Sequence, residues 1–184
     1  MQKQSENMLS NSKRLSEIKN RLRPILRNND VIDVILFGSV VKGKTLPRDI
    51  DVAIISEEDI KPNVEGFHFS VLKQREFFKN QPTLVTTLLR EGHSLRLGKP
   101  FCEGFRFKSG VMFVYNLTSL NSSEKVRIVN LLRGKGGGEG LVKEYRCEWI
   151  SNNVFIAPLE GEYILEQFLI KNKVNFKKSH ILIH

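Results

Sequence analysis

The sequence predicts an α/β chain of the α+β kind: a sheet flanked by helices, with a small C-terminal α+β appendage. Three observations carry this. Leu15, Ile18, Leu22 and Ile25 recur at helical spacing. Two short apolar runs, Ile35-Leu36-Phe37 and Val52 to Ile55, flank a loop that opens at Gly38-Ser39 and closes at Asp49-Ile50-Asp51. Beyond residue 120 the pattern restarts, with apolar stripes at helical spacing alternating with short strand-like runs. The expected units are residues 1–120 and 121–184.

The elements follow in chain order. The first helix should pack its stripe on the sheet, bend near Pro24, and end at Asn28-Asn29-Asp30. The first strand ends at Gly38, where the missing Cβ lets the backbone approach a ligand closely. Ser39 adds a hydroxyl, and residues 39–43 suit a short helical turn whose free N–H groups point at an anion. Lys42, Lys44 and Arg48 add positive charge. On the second strand, side chains alternate faces, so Asp49 and Asp51 share one face while Ile50 and Val52 take the other. Paired carboxylates favour Mg²⁺, a hard ion commonly held by one or two carboxylates and substrate phosphates.

Nine residues, Val40 to Arg48, separate Ser39 from Asp49. A parallel crossover normally takes about a dozen or more, so the two strands should run antiparallel. Gly38, Ser39, Asp49 and Asp51 then converge at one sheet edge; a parallel arrangement would hold them a strand length apart. The alternative is an ordinary Gly-Ser turn followed by a solvated strand start, with Pro47 and Asp49 marking a loop. The strand–turn–strand context favours the site.

Leu36-Phe37-Gly38-Ser39, then Gly43, then Asp49-Ile50-Asp51-Val52 resembles the signature of the nucleotidyltransferase superfamily that includes DNA polymerase beta. Its small stand-alone members in archaea and bacteria are the nearest likeness. The resemblance implies a mixed sheet and transfer of a nucleoside monophosphate from a nucleoside triphosphate to a hydroxyl acceptor, with pyrophosphate leaving. It implies Mg²⁺ or Mn²⁺ on Asp49 and Asp51, and the triphosphate on Gly38 and Ser39, with Lys42 and Lys44 nearby. It also implies a third carboxylate on a later strand. The candidate strand, Gly66 to Leu72, contains no acid. His68 and Ser70 occupy its polar face, opposite Phe67, Phe69 and Val71. His68 could accept a proton from an attacking hydroxyl, although a hydrogen-bonded strand histidine is the commoner role. Glu65 and Glu76 miss the expected position. A second functional class therefore stands beside the enzyme: a catalytically impaired nucleotidyltransferase-fold protein that binds nucleotide or nucleic acid, or an antitoxin-like partner.

After the third strand, residues 73–79 and 82–90 read as helices, the second ending at Gly92. Phe101 to Lys108 reads as an alternation that turns phenylalanines inward and leaves Arg106 and Lys108 outside. Val111 to Leu117 reads as a strand, and Ser122-Ser123-Glu124 as a helix start. The run Gly134 to Gly140 lacks the Gly-Lys-Ser/Thr ending of a phosphate loop and reads as a flexible connector. Glu148 to Ile150 and Asn153 to Ala157 read as strands, Glu160 to Lys171 as a helix, and Ile181 to Ile183 as a terminal strand.

The formal net charge is +9, with 9 basic and 4 acidic residues between 61 and 120. A basic surface can attract RNA or DNA, but dispersed charge equally serves solubility. The resemblance leaves the acceptor open to a nucleic acid, a protein or a small-molecule hydroxyl. The polar first ten residues lack an apolar signal core, so a cytoplasmic location is expected, with Cys102 and Cys147 reduced. His93, His180 and His184 form no ligand pattern.

Overall fold

The computed structural model describes residues 13–43, 49–77, 83–136 and 138–184. By Cα proximity the chain parts into two units, the first reaching Lys108 and joined by His184, the second running from Ser109 to Ile183. Residues 109–120, expected with the first unit, lie in the second.

In the first unit, helix α1 covers residues 13–21 and α2 covers Arg23–Leu26. Pro24, at the start of α2, lacks the N–H that a continuous helix would use, and the helix breaks there as expected. Ile18 and Leu22 are buried. Strands β1 (Val31–Phe37), β2 (Ile50–Ser56) and β3 (Phe67–Lys73) follow, then α3 (Thr83–Glu91), β4 (His93–Ser94) and β5 (Lys99–Pro100). The sheet order is β3-β2-β1-β4-β5. β1 is antiparallel to β2, as the short loop requires, and β2 is parallel to β3, so the sheet is mixed.

Each face has its own core. Val34, Leu36, Val52 and Ile54 pack with Ile18 and Leu22 on one side, where Phe67, Phe69 and Val71 join them. Ile35, Ala53, Ile55 and Leu72 pack with Val85 and Leu88 of α3 on the other. Strand alternation thus assigns Asp51, His68 and Ser70 to the α3 side. The buried Asp33 is satisfied by Val34 N–H at 2.7 Å and Ser94 Oγ at 3.0 Å, which fastens β4 to β1. Arg96 donates to the carbonyls of Leu26 and Val31, closing the end of α2 onto the sheet.

Two expectations are corrected here. The helix expected over 73–79 is a continuation of β3 to Lys73 and a short 3-10 turn, Gln74–Phe77, among the described residues. Glu76 accepts from Lys73 N–H at 2.8 Å and closes that turn. Residues 101–105 form a 3-10 turn in place of an alternating strand, with Phe101 buried and Phe105 exposed. The two rings meet edge to face at 5.4 Å.

The second unit contains β6 (Lys108–Asn116), α4 (Ser122–Arg133), α5 (Leu141–Glu144), β7 (Glu148–Ser151), β8 (Val154–Ala157), α6 (Glu162–Lys171) and β9 (Asn175–Ile183). Its sheet order is β7-β8-β6-β9. Taking α4 and α5 together, that is the β-α-β-β-α-β split of the ferredoxin-like arrangement. Phe113 stacks on Phe155 at 5.2 Å in its core, with Ile128, Leu132, Leu165 and Leu169 around them. Asn121 caps α4 in a reciprocal box with Glu124, one residue before the serines that signalled the start. In the glycine run, Gly134 has a positive φ, and a Cβ there would strike the Gly138 carbonyl. No helix among the described residues is long and apolar enough to cross a membrane.

Candidate active site

β1 ends at Phe37, which pairs with Asp51 at the start of β2. Gly38 follows with φ +72, a conformation that side-chain-bearing residues rarely adopt. Room is as decisive as torsion: a Cβ on Gly38 would lie 2.6 Å from Asp51 Oδ2. The glycine therefore lets the chain turn directly over the carboxylate. Gly38–Val40 form one 3-10 turn, continued by a turn over residues 41–43. Buried Val40 anchors the turn in the α1-side core, leaving Ser39 half-buried at the edge.

Lys42 is already engaged. Its Nζ lies 2.7 Å from Oε2 of Glu91, the last residue of α3. A carboxylate at a helix C-terminus meets the negative end of the helix dipole, and Lys42 offsets that cost. Sequence reading did not find Glu91. Its only trace was its place as the residue before Gly92, which identifies a helix end but not an ion pair across the fold. Lys44 and Arg48 lie outside the described residues.

Asp49 is exposed beside the strand, and Asp51 has a side chain 36 % exposed. In the parallel pairing of β2 with β3, Asp51 sits beside His68 and Ala53 beside Ser70. His68 Nδ1 is 3.4 Å from Asp51 Oδ1, and the imidazole is 70 % exposed. Behind them, Phe67 and Phe69 stack at 5.9 Å on the opposite face, with the Arg21 guanidinium 4.7 Å from the Phe67 ring centre. His93 pairs with Leu36 on β1, which assigns it to the face opposite Asp51.

The structure thus brings Gly38, Asp51 and His68 together at one edge, with Ser39 and the start of β2 beside them. It brings no third carboxylate to this edge among the described residues. Among the described residues, no three histidines, cysteines, aspartates or glutamates stand together as a metal cluster. The donor chemistry of Asp49 and Asp51 nevertheless suits a divalent ion completed by phosphate oxygens or water.

Residues 15–91, from α1 to the end of α3, match the family model described as a nucleotidyltransferase domain. The second unit lies outside that match. No curated protein and no solved structure gives a significant match to the chain.

Proposed function

We propose, from the membership of residues 15–91 in the nucleotidyltransferase superfamily, that this protein moves a nucleoside monophosphate from a triphosphate to a hydroxyl acceptor. The observation that carries the reading is the approach of Gly38 to Asp51, which puts an anion-ready turn and a metal-ready carboxylate at one edge. Backbone N–H groups of the Gly38–Val40 turn and the Ser39 hydroxyl would donate to triphosphate oxygens. Asp49 and Asp51 would hold Mg²⁺ or Mn²⁺, which when bound neutralises charge on the attacking and leaving oxygens. Lys42, paired with Glu91, would present its N–H donors beside the turn as part of a neutral pair, and Lys44 would add a positive charge. The protein's share of the chemistry is positioning and electrostatics, since phosphoryl transfer asks little covalent work of it.

A direct test incubates the protein with each labelled triphosphate, Mg²⁺ or Mn²⁺, and total cellular RNA and protein. Label transfer should fall by at least about 100-fold in Asp51→Asn, the scale of losing a main electrostatic stabiliser. The lack of a third carboxylate among the described residues favours a second reading, a protein that binds triphosphate without turning it over. Metal-dependent binding with no release of pyrophosphate would select that reading. Triphosphate binding unchanged in the Asp49→Asn, Asp51→Asn double variant would sink both.

A further inference from the structure

We propose that the open face of the second unit's sheet is a self-association surface, on which two copies of this chain pack face to face about a two-fold axis running along the strands. One face of the sheet turns Phe113, Phe155 and Trp149 into the core beside α4 and α6. Alternation sends their neighbours to the other face. There Met112 pairs with Ile156 and Val114 with Val154, and a Cβ on Gly110 would reach both Ile156 and Ile181. Ile183 falls on the same side of β9 as Ile181. Val114 and Ile183 are exposed and the others half-buried. A contiguous aliphatic face of this kind is uncommon on a soluble monomer and marks a contact surface.

The chemistry of the face selects a second copy as its occupant. Among the described residues no aromatic ring stands on it, because Phe113, Tyr115, Trp149, Phe155 and Phe176 all pack in the core. It therefore offers no platform on which nucleic-acid bases could stack. Edge-to-edge pairing is blunted on both sides: β7 is bulged between Trp149 and Ser151, and β9 carries Lys177 and Lys178. Face-to-face packing, with the sheets about 10 Å apart, is the remaining route.

Charge then fixes the orientation. Glu148 pairs with Ile156 and so shares the open face. Lys177 shares it too, since its neighbours Phe176 and Lys178 turn inward, to the core and to Glu162. In the order β7-β8-β6-β9 the two charges stand on opposite outer strands. A two-fold axis along the strands lays each β7 on the other copy's β9, and each β8 on the other copy's β6. Glu148 then meets Lys177 twice, and Val154 and Ile156 meet Met112 and Val114 twice, the self-complementarity that an isologous contact requires. An axis across the strands would set Glu148 on Glu148 and Lys177 on Lys177, where like charges repel.

The test is sedimentation equilibrium of the full chain over a dilution series, with circular dichroism to confirm that each variant folds. Wild type should reach twice the chain mass at high concentration. Val114→Lys changes an exposed side chain, so it should fold normally yet raise the dimer dissociation constant at least about tenfold by burying an unpaired charge. Glu148→Lys and Lys177→Glu should each raise it about threefold or more, because each dimer holds the contact twice. The two reversals combined should restore wild-type association. A monomer at every concentration, or a dimer indifferent to Val114→Lys, would overturn the proposal. A combined variant no tighter than either single one would overturn the axis. A monomeric chain whose Val114 and Ile156 amide resonances shift on adding single-stranded RNA would give the face to nucleic acid instead.

Discussion

Gly38 is where sequence and geometry constrain each other most tightly. Its positive φ and its contact with Asp51 are separate demands, and alanine meets neither. Gly38→Ala should cost about 1–3 kcal/mol for the strained backbone, read by urea unfolding. It should also weaken triphosphate binding by displacing Asp51; unchanged stability and binding together would show that the turn relaxes freely. Cys147 offers a contrast away from the site. Burial, with Glu160 adding to it, pushes its thiol up to about 12. Since the thiolate is the reactive form, Cys147 should alkylate far more slowly at neutral pH than an exposed cysteine, in a mass-spectrometric time course. The aspartate pair and the glycine turn could be read from sequence because strand alternation and loop length depend only on neighbours along the chain. His68 is placed beside the pair by the family resemblance, which expects a third carboxylate on that strand, whereas Glu91 could not be read as a contact because it depends on which helix end lies alongside.

Elements were legible in proportion to their length. β1, β2 and β3 each run seven residues, long enough for alternation to declare itself. β4 and β5 have two residues each and α5 has four, too few for any period. β9 was read as Ile181 to Ile183 but begins at Asn175, for a different reason. Its side chains at Lys178 and His180 are polar where a strand normally shows its apolar face. They reach Glu162 of α6, buried to 2 % exposure, at 2.7 and 2.9 Å, and Lys178 also reaches Glu166 at 2.8 Å. A buried carboxylate thus turns an apolar position into a cationic one, which hides the strand from hydropathy. For Lys178, partial burial works against the charge, but the hydrogen bonds and charges of Glu162 and Glu166 outweigh it and raise the ammonium above the ordinary lysine value of 10.5. A raised pKa on a base means stability fully present below the unfolded value and lost as pH climbs through the folded one. Lys178→Met should therefore cost about 1–3 kcal/mol at neutral pH, the scale of leaving a buried acceptor short of a partner. The gap to wild type in thermal melts should close only above pH 10.5. A gap that is constant across that range would assign the loss to packing.

At the scale of the whole molecule, the question is whether the second unit needs the first in order to fold. Its core is separate: Val111, Phe113, Phe155, Leu165 and their neighbours form one cluster, while the residues around β1 and β2 form two others. Its four strands and its helices complete a β-α-β-β-α-β circuit without borrowing a strand. Fully burying a large apolar side chain contributes about 1.5–3 kcal/mol, so a cluster of this size can offset the chain entropy of a small domain, though narrowly. A fragment from Lys108 to His184 should therefore give a dispersed amide NMR spectrum and a cooperative, reversible melt, at a temperature no higher than that of the same unit in the full chain. Phe113→Ala, which removes the ring stacked on Phe155, should lower that melt by the equivalent of about 3–5 kcal/mol and leave most of the fragment unfolded. A fragment that is already unstructured before substitution would show that the division at Lys108 cuts through a single cooperative unit. In that case the sequence match ending at residue 91 would mark the edge of a family resemblance, not the edge of an independently stable fold.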